Sequence, residues 1–153
     1  MKRTFFSLAL LLAVATLTAQ TKMTAREAAV KIADRILAST TYEFKNTKTC
    51  EIYKSVKKLP LDMDVKVACK YNNWHYTNGV TNMALMELGD KLGDKKYEKY
   101  VLKNMNFVFN EGNLDFFRKQ YDEAFKRDGW NAVRKLSWHM IFRGKRLDDN
   151  GPM

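Results

Sequence analysis

The chain has 153 residues and carries 27 Lys and Arg against 17 Asp and Glu, a formal charge of +10. A chain of this length ordinarily makes one domain with room for a sizeable core. The positive excess favours anionic partners, which leaves a uronic-acid saccharide, a nucleic acid, or a solvated surface with no partner. The lysines are scattered singly (Lys45, Lys48, Lys54, Lys66, Lys70, Lys99) and form no arginine-rich arm, so a nucleic-acid binder is the poorest fit.

Lys2-Arg3, the apolar run Phe5 to Val14 and small residues to Ala19 read as a secretory signal peptide over residues 1–19. A mature chain from Gln20, secreted or periplasmic, follows. The apolar run is shorter than the roughly 18 residues of a bilayer span, so no membrane span is expected after signal removal. No cysteine follows the run to carry a lipoprotein anchor. Losing Lys2 and Arg3, with no acidic residue beside them, lowers the charge from +10 to +8.

Thr24 and Glu27 make a capping box, and Ala29, Ile32, Ala33, Ile36 and Leu37 mark one apolar helix face as far as Ser39. Residues 40–73 read as a long connection with local helix, in which Cys50 to Val56 and Val65 to Tyr71 are short helical or extended pieces. Cys50 and Cys69 either pair, closing a loop of about 18 residues worth about 3 kcal/mol, or stay as two buried free thiols. Neither His75 nor His139 sits at ligand spacing from a cysteine, so no metal is expected.

After Asn78-Gly79 a second helix is expected with Val80, Met83, Ala84 and Met86 or Leu88 inside, ending at Gly89-Asp90. Gly93-Asp94 opens a third, with Tyr97, Tyr100, Val101, Met105 and Val108 at three- and four-residue steps. These two form an antiparallel hairpin. Glu111-Gly112-Asn113 is a break; Leu114, Phe117, Tyr121 and Phe125 then give a fourth helix to Asp128-Gly129. Ala132, Val133, Leu136 and Met140 suggest a fifth. No stretch alternates at period two for long enough to require a sheet. The expected class is all-α: a bundle, a solenoid or an (α/α) toroid, with no strict repeat to favour the solenoid.

Polar and aromatic residues concentrate in Tyr71-Asn72-Asn73-Trp74-His75-Tyr76-Thr77-Asn78-Gly79. Flat rings suit the C–H faces of pyranoses and short amides suit hydroxyls, so Trp74, Tyr76 and Asn78 are candidate substrate-binding residues. The plain alternative makes Trp74 and Tyr76 core aromatics and Asn78 an N-cap. Asp148 and Asp149 are the candidate catalytic carboxylates, the plain alternative being a capping or solvated pair. As neighbours they would point about 100° apart on a helix, so they cannot form a facing acid/base pair.

Trp74-His75-Tyr76-Thr77-Asn78-Gly79, Met83 to Leu88, Gly93-Asp94-Lys95-Lys96-Tyr97 and Leu147-Asp148-Asp149-Asn150-Gly151-Pro152-Met153, in this order, resemble the opening of glycoside hydrolase family 105. These are the unsaturated rhamnogalacturonyl hydrolases, relatives of the family 88 unsaturated glucuronyl hydrolases. The resemblance covers roughly residues 24 to 153 and implies the N-terminal part of an (α/α)6 barrel, a six-hairpin toroid of about twelve helices. It implies an acidic, pectin-derived oligosaccharide as substrate, with a C4=C5 unsaturated uronic acid at its non-reducing end. An aspartic acid protonates the alkene, water adds at C5, and the hemiketal opens to release the sugar, with no cofactor or metal.

By the same resemblance Asp148 matches the family's first essential aspartate and Asp149 is its less certain neighbour, while Trp74 and Tyr76 line the sugar pocket. The family's proton donor belongs to a later Trp-x-Asp segment, expected beyond residue 153. Residues 20–153 are therefore expected to be an N-terminal fragment of the hydrolase domain, inactive alone. The rival expectation is a small secreted basic helical binding or adaptor protein, sufficient in itself.

Overall fold

The computed structural model describes residues 23–143. The signal peptide expected over residues 1–19 and the candidate carboxylates Asp148 and Asp149 lie outside them. The division between two compact units falls between Ile32 and Ala33, inside the first described helix, α1 (Ala25–Ser39). Its start is a reciprocal box: the Glu27 carboxylate accepts from the Thr24 N–H (2.8 Å) and hydroxyl (2.9 Å), and Thr24 Oγ1 accepts from the Glu27 N–H (3.2 Å). Those two donors hold the Glu27 carboxyl below its ordinary pKa, the Thr24 N–H contributing most. Ile32, expected on the apolar face, is exposed.

In the larger unit, Ala33, Ile36 and Leu37 pack on Leu85, Tyr97, Tyr100 and Val101. Thr40 Oγ1 closes α1 by donating to the Ile36 carbonyl (2.8 Å) and pairs with the Tyr100 hydroxyl at 3.0 Å. The stretch read as a connection then forms a small sheet: β1 (Phe44–Asn46), β2 (Ile52–Tyr53) and β3 (Val65–Val67), ordered β2-β1-β3 and antiparallel throughout. Phe44 faces Tyr53 on one side and Val67 on the other. Strands of two and three residues are too short for a period of two to register in the sequence. Phe44 and Val65 are buried, so the sheet supplies core from a region that reads as polar. Cys50 is a free, exposed thiol on the β1–β2 connection, and Cys69 is a free, buried one.

Pro60 follows a single 3-10 turn at Val56–Lys58, and a second such turn at Lys70–Asn72 leads into α2 (Tyr76–Leu92). His75, not Asn78, caps α2: its Nδ1 accepts from the Thr77 N–H at 3.4 Å. The buried side of α2 is Gly79, Asn82, Leu85 and Gly89, whereas Val80 and Met83 are 46% and 59% exposed. Met86 and Leu88 pack against the core as expected, whereas Val80, Met83 and Ala84 face outward because Gly79, Asn82, Leu85 and Gly89 occupy the contact. Asn104 Nδ2 donates to Asn82 Oδ1 (3.4 Å) and to the Tyr71 carbonyl (3.1 Å).

Gly93 ends α2 at φ +67°, with Asp94 N–H on the Gly89 carbonyl (3.0 Å) and Gly93 N–H on that of Asp90 (3.3 Å), a Schellman closure that needs a residue free to enter the left-handed region. Asp94 caps α3 (Lys95–Val108), whose buried face is Tyr97, Tyr100, Val101, Asn104 and Val108. The α2/α3 hairpin forms as expected. Asn110 caps α4 (Glu111–Val133), which begins where the sequence suggested a break and is bent at Asp128 and Gly129. A single fifth helix through Ala132–Met140 does not form; a turn separates α4 from the short α5 (His139–Arg143). Phe44, Val65, Trp74, Val108, Phe116, Phe117 and Trp138 form the core joining the sheet to α3 and α4. The described residues are thus mostly helical with one small sheet.

Candidate functional site

The loop entering α2 is tied down on several sides. Asn72 Nδ2 donates to the Thr41 carbonyl at 2.5 Å, and the Asn72 carbonyl accepts from the Trp138 indole N–H at 2.8 Å. Asn78 Nδ2 spans the Lys70 and Asn73 carbonyls (2.8 and 2.6 Å), which occupies both amide hydrogens and leaves Oδ1 as its acceptor. Trp74 is buried, edge-on to Phe109 with centroids 5.2 Å apart. Tyr76, the first residue of α2, is 72% exposed.

The three candidate binding residues therefore do different work. Trp74 anchors, Asn78 stiffens, and Tyr76 displays a ring to solvent at the N-terminal end of a helix, from a loop with little freedom to move. The exposed Phe109 extends the apolar surface beside Trp74. The second motif, Gly93 to Tyr97, is absorbed into structure. Lys96 Nζ and Tyr97 Oη both reach Asp34 Oδ1, at 2.8 and 2.9 Å. These bonds hold the Asp34 carboxyl below its ordinary pKa, Lys96 being the larger cause.

A separate cleft of about 880 Å³ lies between the loop before β3 and the bend of α4. It is lined by both signs of charge, among them Lys48, Asp62, Asp64, Lys66, Arg127 and Lys135. Lys48 pairs with Asp64 at 2.7 Å, and Lys66 Nζ donates to the Lys135 carbonyl. Burial pushes the Lys66 ammonium below its ordinary pKa. Gln120, fully buried beneath, donates to the Asp62 and Val65 carbonyls and fixes the loop. Along the sequence these lysines stand singly, and it is the pairing of β1 with β3 that brings Lys48 and Lys66 to one cleft. With cations and carboxylates interleaved, the cleft builds no strong field of one sign.

Among the described residues no three His, Cys, Asp or Glu side chains gather as metal ligands would, and no helix is long and apolar enough to cross a membrane. No family profile, curated protein or solved structure matches the chain.

Proposed function

We propose that this chain contributes the N-terminal helices and part of the sugar site of an exported glycoside hydrolase that hydrates C4=C5 unsaturated uronic acids on pectin-derived oligosaccharides, as in families 105 and 88. The observation that carries the reading is Tyr76, an aromatic ring largely free of packing at the mouth of a helical hairpin, on a loop pinned by Asn72 and Asn78. An aromatic ring on a fixed backbone offers a sugar large contact area while only two side-chain torsions have to be ordered. The sequence order of the motifs adds the family, and the positive charge suits a carboxylated substrate.

In this reading Tyr76 receives the pyranose face, Asn78 Oδ1 accepts from a hydroxyl, and Asp148 contacts the unsaturated sugar, with Asp149 beside it. A proton goes to C4 and water oxygen to C5, and the hemiketal opens to a ketone as the sugar is released.

Calorimetric titration with an unsaturated rhamnogalacturonan disaccharide tests the reading. Tyr76→Ala is expected to weaken binding by about tenfold, near 1.4 kcal/mol, while Tyr76→Phe holds it. Equal affinity of wild type and Tyr76→Ala would sink the assignment. In a protein carrying this sequence that hydrates the double bond, Asp148→Asn should abolish turnover with far less effect on binding.

A further inference from the structure

The bend in α4 builds a second surface that the Tyr76 site does not use. Tyr121 and Phe125, four residues apart on α4, hold their rings within 6° of parallel at 6.1 Å. Beyond the bend Trp130 joins them, and the three line a groove of about 360 Å³ with Arg143 of α5. Phe125 and Trp130 are 54% and 38% exposed. His139 lies across the Trp130 ring at 5.7 Å, and Phe142 leans on Tyr121 at 5.8 Å. Both guanidiniums of this region rest on rings, Arg143 4.1 Å from the centre of Trp130 and Arg118 5.1 Å from that of Phe142.

We propose that this groove is a separate binding site for a uronate-bearing saccharide. A guanidinium held over a ring is attracted to the ring without using its N–H groups as an ion pair does, so they can serve a planar oxyanion through two parallel hydrogen bonds. Among the described residues neither Arg118 nor Arg143 forms an ion pair with a carboxylate. The exposed parts of Phe125 and Trp130 offer apolar surface to the C–H side of a pyranose, and the volume lies at the small end of the range for ligand pockets, roughly 300 Å³ upward. The match is thus a carboxylate on Arg143 and a sugar ring on the aromatics. The choice of saccharide over other anions rests on the uronyl reading above; the ring and guanidinium geometry does not.

Trp130 is the one tryptophan with substantial exposure, since Trp74 and Trp138 are buried. Its fluorescence therefore reports the groove. The full chain is titrated with digalacturonate, which has no C4=C5 bond, and with uncharged digalactose. Digalacturonate is expected to change the emission saturably and digalactose is not. Arg143→Met and Arg143→Lys should each weaken digalacturonate by about tenfold, as loss of a bidentate pair requires. Tyr76→Ala should leave this binding unchanged.

Absence of saturable binding, equal binding of digalactose, or an unaltered Arg143→Met variant overturns the proposal. Competition by oligoglutamate at equal concentration overturns it in favour of an acidic peptide. Loss of digalacturonate binding in Tyr76→Ala but not in Arg143→Met would place all binding at the α2 mouth. An unsaturated disaccharide that binds without any effect of Tyr76→Ala would instead sink the hydrolase reading and leave the groove standing.

Discussion

Tyr42 shows how a single side chain sets a pH limit. Burial pushes its phenol up to about 12, its hydroxyl is buried with no hydrogen-bond partner, and its ring carries Lys103 Nζ at 4.2 Å. The folded state therefore resists ionising this group while the unfolded chain ionises it near 10. Its contribution to stability is fully present below pH 10 and is lost as pH rises from 10 toward 12. Tyr42→Phe removes an unpaired buried polar atom, so neutral-pH stability is expected to stay within about 1 kcal/mol of wild type, and the loss between pH 10 and 12 to be shallower. Urea denaturation at pH 7 and pH 11 checks both; a variant that loses several kcal/mol at pH 7 would mean the hydroxyl is paired. Trp138 is the opposite case. It is buried at φ +57° and its indole N–H serves the Asn72 carbonyl at 2.8 Å, so Trp138→Phe should lose at least the about 1–3 kcal/mol of an orphaned carbonyl. The same experiment reads it, and a loss under 0.5 kcal/mol, taken as about the error of such measurements, would contradict it.

At the scale of elements, what the sequence revealed depended on whether a polar or apolar residue filled the contact. In α3, Tyr97, Tyr100, Val101 and Val108 are both the apolar residues and the buried ones, so period and packing agree. In α2 the contact is made by Leu85 together with Gly79, Asn82 and Gly89, and no hydrophobic scale points at the last three. The sheet was hidden by its brevity, and the cleft at Lys66 went with it, because its charges meet only where the β1–β2 turn, the loop into β3 and the bend of α4 come together. The loop before α2 was legible as composition, but the division of labour among Trp74, Tyr76 and Asn78 was not, since it depends on which carbonyls Asn78 reaches. The bend of α4 was signalled by Asp128-Gly129, though the helix resumes as far as Val133. Gly129 has φ +51°, ψ −137°, a conformation essentially reserved for glycine, and no atom lies within 4 Å of where a Cβ would stand. Gly129→Ala therefore tests backbone strain alone. A loss of about 1–3 kcal/mol in thermal or urea unfolding is expected; no loss would imply that the bend relaxes into continuous helix, which circular dichroism would show as added helical signal.

At the scale of the chain, exposed apolar side chains are the feature that a basic, helical binding module would find hardest to tolerate. Val80 and Met83 stand one turn apart on the outer side of α2, and Leu102 on α3 is also exposed. Such faces promote association when they remain bare in water. Because Val80 and Met83 contribute little to the described core, the double variant Val80→Lys, Met83→Glu should unfold within about 1 kcal/mol of wild type. It should also sediment as a smaller species at high protein concentration if the bare face drives association. Two results separate the hydrolase reading from the adaptor reading. Wild type that associates through this face, relieved by the double variant, fits helices made to lie against further helices, as those of an (α/α)6 barrel do. Wild type that stays monomeric at high concentration, with a sharp cooperative transition, fits a chain sufficient in itself and favours the adaptor reading.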